Sequence, residues 1–233
     1  MSVVAPSSPS NPLMRAKNTV ASHTTPATKR TRGRPAQGAS VGAGTLLRHA
    51  RKTFAKHGYA ATSVRAIARE AGVDAALLAH HFGSKETLWE AVVEQIAQEA
   101  APMIEATAAL RTSAFGTRER VERALEIYID KVFTDPDLGL FFATATTEEG
   151  TRLDLLVERM VRPYHDVLTP LLTDAAKRKQ LKVPDANVLF FMLVNGISKT
   201  VAYGHLVQAF SALPKQQAKY KRVVLETALN MLA

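Results

Sequence analysis

The sequence predicts an all-α protein of about nine helices, and three observations support that fold class. From about Val41 onward, apolar residues recur at the three- and four-residue spacing of amphipathic helices. No segment shows the sustained two-residue alternation that is typical of a half-buried strand. Serine, threonine, aspartate and glycine stand where these periodic segments should begin and end. We therefore expect helices packed on helices and no β-sheet.

The first four helices are predicted mainly from their ends, because Ser, Thr and Asp cap helix N-termini and Gly favours helix C-termini. We expect a first helix from about Val41 to His57, ended by Gly58, and a second helix with Thr62 or Ser63 as its N-cap. A turn at Ala71, Gly72 and Val73 should lead to a third helix, which is capped by Asp74 and reaches about His81. After Gly83 we expect a long fourth helix that is capped by Ser84 and is kinked or interrupted at Pro102.

Longer amphipathic segments follow, each with an apolar stripe. The expected helices are Thr117 to Thr134, Leu138 to about Thr147, about Arg152 to Gln180, Asp185 to about Phe210, and a last helix to Leu232 with Pro214 in its first turn. Pro163 and Pro170 interrupt one stripe. Each removes a backbone hydrogen bond and tends to bend its helix, and bends inside a bundle leave room for a cavity.

The positive charge lies at one end of the chain. Of the net charge of +9, +6 falls in residues 1–35, +3 in residues 36–90, and the remainder is neutral. Residues 1–40 are rich in Pro and Ser and poor in large apolar residues, so we expect a flexible basic arm there. The arrangement predicts a head that binds a polyanion, at residues 41–88, attached to a neutral body at residues 89–233.

Composition excludes several classes of protein. Without cysteine the chain has no disulfide framework and no thiolate site. The longest uniformly apolar stretch, Val188 to Val194, is too short to cross a bilayer, and Met1 to Leu13 lacks the pattern of a secretory signal. We expect a cytoplasmic protein without a cofactor. The adjacent His80 and His81 point about 100° apart on a helix, so we expect no metal site.

Residues 63–82 have the pattern of a helix-turn-helix: two short helices joined by a Gly-containing turn. Ala68 and Ala71 allow close approach, and Val73 with Leu77 or Leu78 should fill the small core. The exposed side of the third helix would then enter a major groove.

These residues resemble the TetR family of transcriptional regulators over roughly Leu46 to Val92. The residues that match the family's pattern are Phe54, Gly58, Tyr59, Ala61, Thr62, Ser63, Val64, Arg65, Ile67, Ala68, Glu70, Ala71, Gly72, Val73, His81, Phe82, Gly83, Ser84, Lys85, Glu86, Thr87 and Leu88. The resemblance implies a homodimer with a nine-helix fold, an N-terminal helix-turn-helix domain that binds double-stranded DNA, and a helical bundle that dimerises and binds a small-molecule effector. It further implies that Thr62 or Ser63, Arg65 and Lys85 contact phosphates.

The predicted recognition helix has few hydrogen-bond donors. Its groove-facing stretch includes Ala75, Ala76, Ala79 and His80, of which the alanines suit thymine methyl groups. The family usually has an aromatic residue where Ala79 stands and a serine where Asp74 stands; we expect Asp74 to cap the helix rather than to contact a base. The arm could supply further contacts, because Arg32-Gly33-Arg34-Pro35 matches the core of an AT-hook, and Arg30, Arg32 and Arg34 would lie in a minor groove. A disordered solubilising tail is the alternative.

An effector pocket is expected near the two prolines. The candidate ligand-binding residues are Phe133, Phe141, Phe142, Tyr164, His165, Phe191, Met192, Asn195 and Tyr203. Ordinary core packing is as good an interpretation for any one of them. The apolar segment after Asp185 and the last helix should form a four-helix bundle with their copies in a second subunit.

The sequence therefore predicts a ligand-responsive regulator that binds a palindromic operator as a dimer and is released by an effector. Repression is the first expectation, although activation stays open because polarity depends on operator position. An architectural DNA-binding protein without a specific effector is the alternative. We expect no enzyme, since the sequence contains no catalytic constellation.

Overall fold

The computed structural model describes residues 42–232, and every regular element in that range is helical. The helices are α1 (Ala43–Ala61), α2 (Val64–Ala71), α3 (Ala75–Phe82), α4 (Lys85–Ala109), α5 (Thr117–Thr134), α6 (Pro136–Ala145), α7 (Thr151–Leu156), α8 (Arg162–Lys177), α9 (Ala186–Ala202), α10 (Gly204–Val207) and α11 (Gln217–Asn230). The predicted all-α class is confirmed. The predicted number of helices holds for this range if α7 and α8 count as one and the four-residue α10 is set aside. The basic arm at residues 1–40 lies outside the described residues.

Side-chain caps fix the first residues of the three helices that follow α1, which are α2, α3 and α4. The Ser63 hydroxyl accepts a hydrogen bond from the Ala66 amide, the Asp74 carboxylate accepts one from the Ala76 amide, and the Ser84 hydroxyl accepts one from the Thr87 amide. Each cap satisfies an amide that would otherwise lack a partner at the helix start. Because the caps are local, α2, α3 and α4 begin where the sequence predicts.

Helix ends agree less well with the predictions than helix starts. The predicted end of the first helix at Gly58 is confirmed, because its φ of 74° and ψ of 170° are not helical, although a short helical segment follows as far as Ala61. α4 runs through Pro102 to Ala109 without an interruption. The helix that begins after Asp185 stops at Ala202 instead of near Phe210, because the chain turns at Tyr203 so that Gly204 can lie close to Pro214 and Tyr220.

A π-helical turn, Val157–Val161, joins α7 to α8. Within it the Arg162 amide donates to the carbonyl of Val157, five residues earlier. Pro163 accounts for the turn, because proline has no amide proton and its ring clashes with the carbonyl four residues back. This proline was predicted to bend its helix. What the structure has at this point is a local widening of the helix, without a break. Pro170 lies inside α8, which continues past it.

Buried apolar side chains form two clusters. Within the described range, the head is residues 42–88 and the body is residues 89–232. The head cluster joins α1, α2 and α3 to the first part of α4 and also contains Phe141, Ala145 and Leu156 from α6 and α7. The body cluster is formed by α4, α5, α8, α9 and α11. The core of the head is therefore completed by α6 and α7, which lie far along the chain.

Polar contacts also tie α1 to the body. Arg51 is only 5% exposed, and its guanidinium forms ion pairs with Asp135, at the junction of α5 and α6, and with Glu99 of α4. The Thr144 hydroxyl donates to the carbonyl of Ala55 at 2.8 Å. On the other side of α6, a Cβ on Gly139 would lie 2.8 Å from the Ser198 carbonyl oxygen, so α6 packs closely on α9 as well as on α1. No helix within residues 42–232 is long and apolar enough to span a bilayer.

Candidate DNA-binding surface and ligand pocket

The start of α2 presents one hydroxyl to solvent and buries the other. Ser63 is exposed and is the N-cap, whereas Thr62 is 3% exposed and its hydroxyl donates to the Gly58 carbonyl at 2.6 Å. The sequence left both residues as candidates for a phosphate contact, and the structure leaves only Ser63 accessible. Arg65 is exposed on the first turn of α2 and has no ion-pair partner among residues 42–232.

The exposed face of α3 is smaller than the predicted groove-facing stretch. Ala76, Ala79 and His80 are exposed, whereas Ala75 is half-buried and packs against the head cluster. Leu78 is the buried anchor of the helix. The Asp74 carboxylate accepts from the Ala76 amide at 2.8 Å, as expected of a cap. Together with His81, which is also exposed, these side chains form the surface of α3 that faces away from the core.

Lys85 closes the corner between α1 and α2. Its ammonium donates to the carbonyls of Tyr59 and Thr62, each at 3.0 Å, and lies 4.1 Å from the centroid of the Tyr59 ring. An ammonium has three donors, so one stays available beyond these two carbonyls. The lysine thus fixes the position of the α2 N-terminus, and any phosphate contact would use its remaining N–H.

Tyr59 links this corner to the body. Its hydroxyl donates to Glu86 at 2.5 Å, and Arg152, just after the start of α7, lies 4.2 Å from the ring centroid and pairs with both Glu86 and Glu148. Burial, followed by the hydrogen bond to Glu86, raises the pKa of Tyr59 to about 12. The phenol is therefore protonated at any physiological pH and remains a donor.

An apolar cavity lies among α4, α5, α6, α8 and α9, next to the π turn. It is partly open to solvent and has a volume of about 70 Å³. The lining residues are Ile96, Ala97, Ala100, Met103, Ile104, Tyr128, Leu138, Gly139, Phe142, Arg159, Met160, Val161, Tyr164, Phe190, Phe191, Val194, Asn195 and Ser198. Three of them, Arg159, Met160 and Val161, belong to the π turn, so the widened turn forms one wall.

Four of the nine predicted ligand-binding residues, Phe142, Tyr164, Phe191 and Asn195, line this cavity. The other five do not: Phe141 is buried in the head cluster, Phe133 packs on Tyr220, His165 bridges Asp166 and Asn187, Met192 is exposed on α9, and Tyr203 caps the end of α9. Sequence reasoning missed Tyr128 and Ser198. Both follow helical apolar stripes, and nothing in their spacing separates a cavity wall from a packed core.

Most polar groups of the cavity are already bonded to the backbone. The hydroxyls of Tyr128 and Ser198 both donate to the Val194 carbonyl, at 3.0 and 2.7 Å, and the Asn195 amide donates to the Phe191 carbonyl at 2.9 Å. Tyr164 differs: its ring stacks on Tyr128 at 5.1 Å, but its hydroxyl is buried without a hydrogen-bond partner in the described part of the chain. Burial raises the pKa of both tyrosines, and the nearby Ser198 hydroxyl acts in the opposite direction on the pKa of Tyr128.

A second apolar surface lies along α9 and α11. Val188 and Met192 of α9 are each more than half exposed, as is Leu206 of α10. Beside them a groove runs between α9 and α11, lined by Met192, Leu193, Gly196, Ile197, Thr200, Tyr220, Val223, Val224, Thr227, Ala228 and Met231. Within residues 42–232 no three His, Asp or Glu side chains are gathered as metal ligands.

Known proteins resemble this chain most clearly in the head. Residues 46–92 match the family model described as bacterial regulatory proteins, tetR family. The HTH-type transcriptional regulatory protein RaaS of Mycobacterium tuberculosis is 47% identical over 60 residues, which are 23% of this chain and 28% of that relative. The chain thus spans less than a third of the length of this relative in the match.

Solved structures extend the likeness to the body. HlyIIR, a hemolysin II transcriptional regulator, superposes with a TM-score of 0.57 at 19% identity, covering 81% of this chain and 95% of that one. FadR from Bacillus subtilis, in complex with stearoyl-CoA, gives a TM-score of 0.56 at 17% identity, covering 81% and 98%. A TetR-like regulator from Rhodococcus sp. RHA1 gives 0.56 at 20% identity, covering 79% and 92%. The chain thus resembles the TetR family in sequence over residues 46–92, and it shares its fold with these solved structures.

Proposed function

We propose that the protein represses transcription by binding a palindromic operator as a homodimer, and that a small-molecule effector releases it. One observation supports this function most directly: the cavity and the head cluster share a wall. Ile96 belongs to both, and on α6 Phe142 lines the cavity while its neighbour Phe141 lies in the head cluster. A ligand that moves α4 or α6 would therefore disturb the packing that holds the recognition helix.

DNA would be contacted by the exposed side of the head. Ser63 and Arg65 suit phosphates at the start of α2, where the helix dipole favours a negative charge. Lys85 would add a third contact through its free N–H. On α3, Ala76 and Ala79 would meet thymine methyl groups and His80 would supply a hydrogen bond. Ala75 stays on the boundary of this surface.

The arm would add affinity that α3 alone does not supply. Arg30, Arg32 and Arg34 lie outside the described residues, and their sequence favours binding in a narrow A·T minor groove. Deleting residues 1–35 should weaken operator binding and lower the slope of log affinity against log salt by several phosphate equivalents. An unchanged slope across a salt titration would contradict this role.

The partner in the dimer would be a second copy seated on α9 and α11. The exposed apolar residues of this face and the groove between the two helices suit a four-helix bundle. A two-fold axis would place two α3 helices about 34–36 Å apart, so that both enter successive major grooves on one face of the duplex. The single exposed α3 of one subunit would bind weakly.

The effector would bind in the cavity and favour a conformation with low operator affinity. By linkage, operator DNA then weakens effector binding by the same factor. The stearoyl-CoA bound by Bacillus subtilis FadR supports the idea that this fold holds a ligand with a long apolar part. We retain residues 41–88 as the DNA-binding region and residues 89–233 as the ligand-binding and dimerisation region, with the reservation that their cores are not separate.

Operator selection from random DNA, followed by release with a metabolite panel, tests the proposal. We expect a short palindrome protected by two subunits, and at least one compound that lowers its affinity. Sequence-indifferent coverage of DNA would instead identify an architectural protein, and chemical turnover of a bound compound would identify an enzyme.

A further inference from the structure

The hydroxyl of Tyr164 differs from the other hydroxyls of the cavity, because no neighbouring group that the structure describes accepts a hydrogen bond from it. The side chain is 4% exposed, its ring lies in the cavity wall, and its oxygen has no partner among residues 42–232. A buried phenol usually finds an acceptor, because an unpaired hydroxyl in an apolar site loses its hydrogen bonds to water. Phenylalanine would fill the same space without this cost. The hydroxyl therefore indicates an acceptor that another molecule brings.

The neighbouring polar groups limit where that acceptor can go. The hydroxyls of Tyr128 and Ser198 donate to the Val194 carbonyl, and one N–H of Asn195 donates to the Phe191 carbonyl. The Tyr128 bond joins α5 to α9, whereas those of Ser198 and Asn195 are made within α9, and none of these donors can turn toward a ligand without breaking its bond. Tyr164 is then the one buried hydroxyl of this cavity that can donate at no cost to the fold.

The charge around the cavity limits the ligand further. None of the lining residues is acidic, and the single charged one is Arg159, whose side chain is 58% exposed at the mouth. Its nearest carboxylate is Glu94 at 3.8 Å, too long for a hydrogen bond. Inside the cavity a cationic ligand would meet walls that offer no counter-charge, which is costly in an apolar site, because the nearby carboxylates of Glu94, Glu105 and Glu158 lie with Arg159 on the adjoining surface groove.

The aromatic walls indicate the shape of the ligand's body. Tyr128, Tyr164, Phe190, Phe191 and Phe142 surround the cavity, and the first two rings are stacked with an interplanar angle of 17°. Because these two rings already stack on each other at 5.1 Å, a flat apolar group would lie against the aromatic wall and not between them.

We propose that the effector is an apolar molecule without positive charge that presents a carbonyl-type oxygen to the hydroxyl of Tyr164. Tyr164 is thereby a ligand-binding residue, and Tyr128, beside it, is structural. The inference rests on the proposed function only in taking this cavity as the effector site. Its chemistry can be tested without DNA.

A matched pair of probes isolates the carbonyl. Acetophenone and ethylbenzene have a single ring, which can extend from the cavity into its open side, and they differ in one acceptor oxygen. For the full-length protein in calorimetric titration, we expect the acetyl compound to bind roughly tenfold more tightly, as one buried hydrogen bond allows. Trimethyl(phenyl)ammonium should bind at least tenfold more weakly than either.

A matched pair of variants then isolates the hydroxyl. In Tyr164→Phe the preference for the acetyl compound should disappear, while the affinity for the ethyl compound stays within about twofold. In Tyr128→Phe the preference should remain, because that hydroxyl is already bonded to the backbone. The thermal midpoint should show the opposite order: unchanged or raised in Tyr164→Phe, lowered in Tyr128→Phe.

Three results would each overturn the proposal: equal affinity for the two neutral probes, a preference that survives Tyr164→Phe, or tighter binding of the cation. Failure of all three probes to bind at their solubility limits would overturn it as well. If the preferences appear as expected and no operator is selected, the regulatory role fails while the ligand chemistry stands. If an operator is selected and the probes show no preference, the reverse holds.

Discussion

The head and the body of this protein are specified in different ways. The short helices of the head start at side-chain caps, Ser63 and Asp74, and turn at the positive-φ glycines Gly72 and Gly83. In the body, α5, α6, α7, α8 and α11 begin without a side-chain cap hydrogen bond and are held by packing between distant segments, although Asp185 caps α9. Side-chain caps thus mark most helix starts in the head, whereas packing between distant segments holds most of the body. The comparison explains why the family resemblance is concentrated in residues 46–92.

The difference does not make the head independent. Its core includes Phe141 and Leu156, and its α1 is bound to the body through Arg51. A head with a locally encoded shape therefore depends on the body for part of its stability. Substitutions in the head and in the body measure separately what local contacts and contacts with the body contribute to the stability of the head.

The largest effect should come from a body residue in the head cluster. Phe141 is 1% exposed, and Phe141→Ala should lower the free energy of unfolding by about 3–5 kcal/mol, because it leaves a cavity beside Trp89. Urea unfolding followed by the single tryptophan measures this loss. Phe142→Ala is the matched control, since that half-buried neighbour faces the ligand cavity; its cost should be well under half as large. Equal costs would mean that the head does not depend on α6.

The next effect should come from the ion pairs of Arg51. Arg51→Met leaves Asp135 and Glu99 without their buried partner and should cost about 3 kcal/mol of stability. Lys52→Met is the control, because Lys52 is largely exposed and lies 3.8 Å from Asp137, so its removal should cost less than about 0.5 kcal/mol. Both are measured by urea unfolding at neutral pH. A cost at Arg51 as small as that at Lys52 would show that α1 is held by apolar packing alone.

A smaller effect should come from a local cap in the head. Asp74→Ala removes the acceptor for the Ala76 amide and should cost about 1 kcal/mol, whereas Asp74→Ser keeps an acceptor and should cost only a few tenths. If Asp74 contacts a base instead, both variants should alter operator preference at one position, and neither should alter stability. Unfolding and operator titration on the same two variants distinguish the roles.

The smallest effect should be a dependence of the free energy of unfolding on pH, caused by His165 in the body. His165 lies between two acceptors, Asp166 and Asn187, and the hydrogen bonds to them raise its pKa above 6.5. The raised value means that the folded state favours the imidazolium, with Arg162 opposing it. The stabilisation is full below pH 6.5 and is lost as the pH rises through the folded pKa.

The stability difference between the wild type and His165→Gln should therefore be larger at pH 5 than at pH 8, by less than about 1 kcal/mol, because solvent screens this partly exposed ring. Urea unfolding of both proteins at the two pH values measures it. A difference that grows with pH would reverse the assigned direction.

The sequence predicted what short-range chemistry decides. The caps Ser63, Asp74 and Ser84 stand where they were expected, and α5 has the expected bounds, Thr117 and Thr134, because Asp135 and Pro136 end it. The sequence did not predict which of two adjacent similar residues is buried, because that depends on which neighbour each side of a helix packs against. Thr62 and Ser63 are chemically alike, yet only a neighbouring carbonyl at Gly58 decides that the first is buried.

The same limit applies to the cavity. Phe141 and Phe142 are adjacent and identical in type, but one packs under the head and the other lines the cavity. Helical periodicity identifies a buried stripe and says nothing of whether its neighbours fill the space in front of it. Tyr164 was a candidate, whereas Tyr128, which stacks on it, was not.

The π turn before Pro163 has a geometric consequence for both regions. Each α-helical residue rotates the chain by about 100°, so the one extra residue in the turn offsets the apolar stripe of α8 from that of α7 by about that angle. Leu156 can thereby point into the head cluster while Leu168, on the same continuous rod, points into the body cluster. Deleting Glu158, which packs against neither cluster, would preserve the composition of both cores and put their stripes out of phase.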